Sequence, residues 1–177
     1  LLTITYLARQ NLVMKMLSNK LSEKSSFLNL LMNTLPDLVW TKDPQGIYLN
    51  CNKRFEDFFG AKAQEIIGKS DADFVEQQQA EAFRKDDLRV IRHGQAIFIE
   101  EEVCFKSDGH CELLETIKTP VYNTKSGELL GVLGVSRDIT ERRESELAVR
   151  ENEKKYRVLF EQITQGVLVY DQNLFVI

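Results

Sequence analysis

Apolar residues recur every seven positions near the start of the chain, at Leu7, Met14, Leu21, Leu28 and Leu35. Three residues further on stand Gln10, Leu17, Lys24 and Leu31, so the second register alternates polar with apolar. A 3.5-residue period predicts a helix with a left-handed seam against a partner helix. Met14, Leu17, Leu21, Leu28 and Leu31 form that seam, and a parallel homodimer is the simplest assembly. Gln10 and Lys24 would cost stability there while fixing register. The competing reading of the same stripe is a helix packed on its own domain.

From Leu38 the period shortens. "LVWTKDPQGIYLNCN" reads as two short strands around Asp43-Pro44-Gln45-Gly46, a turn by its Pro and Gly. Asn52 then caps a short helix, "KRFEDFFG", ending at Gly60, and "AQEIIG" makes a second that stops at Gly68. In "SDADFVEQQQAEAFRKDDLRVIRHG" the residues Phe83, Leu88 and Ile91 mark the buried face of a longer amphipathic helix closed by Gly94. "AIFIEEEVCFK", "CELLETIKTPVY" and "ELLGVLGVSRD" follow as strands joined by turn residues. The order predicts an α+β fold, a five-stranded antiparallel sheet with short helices on one face.

The segment 30–49, "LLMNTLPDLVWTKDPQGIYL", aligns without gaps with 158–177, "VLFEQITQGVLVYDQNLFVI", and Asp43 meets Asp171 at the head of the turn. Such a repeat predicts one whole module and the opening of another. The organisation expected is a possible transmembrane end at 1–8, a coiled-coil linker helix at 9–35, a first domain at 36–140, a linker helix at 141–157 and a truncated second domain at 158–177. The first eight residues, an apolar run followed by Arg9, Lys15 and Lys20, have the charge asymmetry of the cytoplasmic end of a membrane-spanning helix. The first turn of the coiled coil is the alternative.

Composition narrows the function classes. Hydrophobic residues make up 43% and charged residues 28%, ordinary for a globular chain, and the net charge of −4 comes with no basic stripe for nucleic acid. Cys51, Cys104 and Cys111 are odd in number and irregular in spacing, which predicts reduced cysteines on half-buried strands and neither a disulfide framework nor a zinc site. Only His93 and His110 offer imidazole, His93 beside the helix-ending Gly94 and His110 in a hairpin turn. Dinucleotide, Walker, zincin and nucleophile-elbow motifs are absent, so no catalytic residues and no metal ligands are assigned. In Glu100-Glu101-Glu102, alternation puts Glu101 on the side of Ile99 and Val103, facing a pocket or a partner helix.

Strand, strand, small helices and three hairpin-linked strands, ending at Asp138-Ile139-Thr140 and a charged exit helix "ERRESELAVRE", together resemble the PAS sensory family with its C-terminal PAC motif. The matching stretches are "LLMNTLPDLVWTKDPQGIYLNCNKRFEDFFG", "EIIGKSDADF" and "LETIKTPVYNTKSGELLGVLGVSRDIT". The resemblance covers residues 27 to about 143 and, in a truncated copy, 153–177. It implies coiled-coil signalling helices on both flanks and a transmission joint at Asp138, Ile139, Thr140 and Glu141. Asp138 and Glu141 also have the spacing of a capping box.

Haem-binding members carry an axial His about eleven residues before the terminal Gly of the long helix, where this chain has Phe83. Flavin-adduct members carry a Cys where this chain reads "GKSDADFVE". Both cofactors are therefore disfavoured, and an unidentified small ligand is what the family leaves open. Its pocket would be lined by Trp40, Leu49, Cys51, Phe55, Phe59, Phe74, Ile91, Val103, Leu114, Thr116 and Val132, by alternation and helical face. The resemblance implies a sensor that relays a ligand or conformational input through a dimeric coiled coil to a further PAS domain and an output domain in the same chain. That output is cyclic di-GMP turnover or a histidine kinase, on the cytoplasmic side of an inner membrane reached through an upstream helix. A dimerisation scaffold without ligand remains the alternative.

Overall fold

A computed structural model describes residues 2–162, with side chains described for 9–161. The chain divides into two units, Leu1–Asp138 and Ile139–Ile177. In the first, helix α1 (Leu2–Thr34) precedes strands β1 (Leu38–Lys42) and β2 (Tyr48–Cys51), helices α2 (Lys53–Phe59) and α3 (Ala63–Ile66), a 3-10 turn (Asp71–Asp73), helix α4 (Gln77–His93), and strands β3 (Ile97–Cys104), β4 (Cys111–Tyr122) and β5 (Leu129–Asp138). The strands form one sheet in the order β2-β1-β5-β4-β3, and every pairing is antiparallel. Helix α5 (Thr140–Gln162) is the described part of the second unit. No helix among the described residues is long and apolar enough to cross a membrane.

Asn52 holds the first half together. Its Oδ1 accepts from Val39 N at 3.0 Å and from Phe55 N at 3.1 Å, which caps α2. Its Nδ2 donates to the carbonyls of Met32 and Asp37, at 3.0 and 2.8 Å. One buried amide thus ties the end of α1 to β1 and α2, using donor and acceptor alike. Helix α2 then drives Phe55, Phe58 and Phe59 into the core against Trp40, Tyr48 and Phe105. The rings of Phe55 and Phe59 lie 4.8 Å apart in edge contact, and Phe74 stacks on Phe59 at 4.6 Å. Each such side chain contributes roughly 1.5–3 kcal/mol on burial.

Two irregularities in the sheet alter what alternation alone would place. Thr41 pairs with Asn50 but Lys42 pairs with Tyr48, so Leu49 is an extra residue bulged from β2. The bulge turns Leu49 to solvent and sends Tyr48 into the core at 2% exposure. In β5 a second shift leaves Leu130 unpaired and Gly131 at φ 149°, where a Cβ would stand 1.9 Å from the Lys42 carbonyl oxygen. The fully buried positions of α4 are Ala80, Asp87 and Val90, whereas Phe83, Leu88 and Ile91 are half-buried. The expected apolar face is therefore rotated, because an aspartate occupies its centre.

The cysteines correct the expectation of reduced thiols. Cys104 and Cys111 face each other across the β3–β4 ladder with Cα atoms 4.0 Å apart and are joined by a disulfide. Both are exposed, and Cys51 alone is free and buried. Spacing gave no hint of the bond, because strand register, and not sequence distance, brings the two sulfurs together.

Along α1 the seam residues Met14, Leu17, Leu21, Leu28 and Leu31 are all exposed, from 47% at Leu31 to 69% at Leu21. The helix is anchored near its end, where Met32 and Asn33 bind Asn50, Asn52 and Lys53. Strand β5 runs through Asp138 and α5 starts at Thr140. The Ile139 carbonyl accepts the helical hydrogen bond from Arg143 N at 2.9 Å. Residues 158–162 are helical, as are their counterparts 30–34 in the repeat, and 163–177 lie outside the described residues.

Candidate functional site

The inner face of the sheet carries charge where an apolar core would be expected. Lys42 alternates with Leu38 and Trp40 on β1, and Lys118 with Leu114 and Thr116 on β4; both ammonium groups are almost wholly buried. An unpaired buried charge is prohibitive, so each lysine demands a carboxylate. Asp87 of α4 supplies one to both, 3.1 Å from Lys42 Nζ and 2.7 Å from Lys118 Nζ. Asp71 of the 3-10 turn binds Lys42 at 2.5 Å and accepts from the Tyr48 hydroxyl at 2.6 Å. Lys118 also donates to the Phe83 carbonyl at 3.1 Å. Burial, and then the Asp71 charge, hold the Tyr48 hydroxyl well above its ordinary pKa.

This network borders a cavity of about 30 Å³ between sheet and helices. Its walls are Leu38, Trp40, Lys42, Tyr48, Phe55, Phe58, Asp71, Phe83, Glu101, Val103, Leu114, Lys118 and Ser136. The space suits a water-sized group. Glu101 reaches into it from β3, and Thr116 donates to its Oε1 at 3.4 Å. Burial pushes the Glu101 carboxyl up, against the opposing attraction of Lys118. Two carboxylates already balance the two lysines, so Glu101 is a third acid in a site with two cations.

Of the residues expected at the pocket, Trp40, Phe55, Val103 and Leu114 border the cavity. Thr116 is buried beside it and bonded to Glu101 and Ser136, while Phe59 and Cys51 lie in the core behind it. Val132 is buried in the row that pairs with Lys42. Phe74 packs on the core from the helix side, and Ile91 is half-buried on α4. Leu49 does not belong to the site, because the β2 bulge turns it outward.

The polar members Lys42, Asp71, Asp87, Lys118 and Ser136 were missed. Their signal was a lysine in phase with apolar neighbours on each of two strands. Phe83, at the haem-ligand position, lines the cavity, and no His or Cys stands among its walls. Among the described residues no group of three His, Cys, Asp or Glu is placed to hold a metal ion.

A family model of the PAS fold matches residues 32–144. The chain belongs to the PAS family. It is 31% identical over 120 residues to a diguanylate cyclase of Vibrio cholerae, a match covering 68% of this chain and 37% of that protein. It is 29% identical over 121 residues to the aerobic respiration control sensor protein ArcB of Escherichia coli, covering 68% of this chain and 15% of that one. The PAS domain of Bordetella pertussis BvgS superposes with a TM-score of 0.56 at 26% identity, over 75% of this chain and 98% of that one. This PAS chain thus spans well under half the length of the curated relatives it matches, and the shared part is the PAS sensory domain.

Proposed function

We propose that this PAS domain is the sensory module of a larger bacterial-type signalling protein and that it passes a change at its cavity to α5 through β5. The observation that carries the reading is continuity. Ser136 of β5 forms part of the cavity wall, and only Ile139 separates the end of that strand from the helix. The joint is Asp138, Ile139, Thr140 and Glu141. The input is a small ligand or a conformational change, without haem or flavin, for which a cavity of about 30 Å³ lined by Phe83 speaks.

The relatives support an output domain further along the same chain, a cyclic di-GMP enzyme or a histidine kinase, with a second PAS domain starting near residue 158. The exposed heptad of α1 supports a parallel homodimer. The basic residues that follow the apolar start support a position on the cytoplasmic side of an inner membrane.

A scaffold without ligand is the second reading, favoured by how nearly filled the cavity is. Hydrogen exchange along α5 separates the two. A cavity-filling Ser136→Leu exchange should alter protection in the first turns of α5, whereas Leu49→Ala on the outer bulge should not. If α5 responds to neither, β5 transmits nothing and the scaffold reading stands. Native mass spectrometry of the purified chain would reveal a retained small molecule.

A further inference from the structure

Thr116 is the midpoint of a short hydroxyl chain. Its Oγ1 lies 3.4 Å from Glu101 Oε1 on β3 and 2.6 Å from Ser136 Oγ on β5. The three side chains come from adjacent strands, and Thr116 and Ser136 are at most 2% exposed. A hydroxyl has one hydrogen to give, so the direction of each bond depends on its neighbour. We propose that Glu101, Thr116 and Ser136 form a relay whose direction is set by whether Glu101 carries a proton, and that the relay reports this proton near the end of β5.

The two states follow from donor counting. Ionised Glu101 can only accept, so Thr116 gives its hydrogen to Glu101 and receives that of Ser136. When Glu101 takes a proton from solvent, its O–H donates to Thr116 Oγ1, and the Thr116 hydrogen turns to Ser136. Ser136 is then an acceptor, and its own hydrogen needs another partner. The signal moves from β3 to β5 by reorienting two hydroxyl groups, with no bond made or broken beyond the first protonation. Ser136 lies two residues before Asp138, and Asp138 itself shares a row across the sheet with Leu114 and Glu101.

The surroundings make Glu101 the group that responds. Facing it are Lys118 of β4 and Lys42 of β1, which favour its charge, and Asp86 of α4, which opposes it. Asp87 and Asp71 take up the lysines, so neither cation is committed to Glu101. Burial outweighs the remaining attraction and raises the carboxyl above the usual glutamate value. In a cavity of about 30 Å³ a proton is also the smallest input that changes the wall. The relay rests on the reading of β5 as transmitter, and it names the wall residues through which that strand would sense.

The test is an NMR titration of the full chain carrying 13C-labelled glutamate. Glu101 should titrate above the usual glutamate range, and the Ser136 and Arg137 amides should shift with the same midpoint. That midpoint should disappear from both amides in Glu101→Gln. In Thr116→Val it should persist at Glu101 but leave Ser136, and Ser136→Ala should remove it from Arg137 if the valine variant does not fold. An ordinary midpoint at Glu101 overturns the proposal. So does an undiminished Ser136 response in Thr116→Val, which would mean a through-space charge effect. The titration reads β5 alone, so a relay intact in a chain whose α5 ignores the cavity would count against the transmitter reading and not against the relay.

Discussion

Asp87 binds two buried ammonium groups from a helix face otherwise given to Ala80 and Val90. Removing one partner of a buried pair leaves the other charge stranded, at a cost of about 3–5 kcal/mol. Asp87→Ala should therefore destabilise the domain by that order in urea unfolding, while Leu49→Ala on the exposed bulge should stay within about 0.5 kcal/mol. Cys51 makes a separate residue-scale prediction. Burial, reinforced by the Glu56 charge, pushes its thiol up to about 11, so it should remain a thiol and resist alkylation by iodoacetamide at pH 8 until the chain unfolds. The apolar part of this site was legible, because Trp40, Phe55, Val103 and Leu114 follow alternation and helical face. Its charged half was not. Lys42 and Asp71 are 29 positions apart, Lys118 and Asp87 31, and only the folded chain shows which lysine meets which acid.

Elements were more legible than parity within them. The Asn52 cap and the stops at Gly60 and Gly94 could be read directly, since each is a local requirement of backbone hydrogen bonds. The β2 bulge could not, because it answers to the pairing of β1 with two partners, and it moved Leu49 out of the pocket. The disulfide was hidden for the same reason. It closes the β3–β4 hairpin beside Phe105, which is 1% exposed and stacks on His110 at 4.4 Å between ring centres. Phe105 N binds the His110 carbonyl at 2.8 Å, a second tie across the turn that does not depend on the bond. Reductant should therefore lower the melting temperature by only a few degrees, about 1 kcal/mol or less for a domain of this size. A Cys104→Ser, Cys111→Ser variant should be indifferent to reductant. For α1, a Leu21→Glu, Leu28→Glu variant should sediment as a folded monomer, and an unchanged dimer would place the interface elsewhere.

At the scale of the whole molecule, β5 ends at Asp138 and α5 starts at Thr140, and under the proposed transmitter reading the signal along α5 is displacement or rotation of a helix. An α-helix turns about 100° per residue and rises 1.5 Å. Inserting seven residues after Glu151, within the exposed part of α5, lengthens the helix by about 10 Å and returns the downstream face to within about 20° of its old direction. Inserting two turns that face through about 200°. If α5 is a stiff transmitter in a parallel dimer, the parent protein should keep its response to stimulus with the seven-residue insertion and lose or invert it with the two-residue one. Neither insertion touches residues 9–138, so both variants should unfold like the original chain. Equal responses from the two variants would mean that the phase of α5 carries no information and that the sheet communicates by another route.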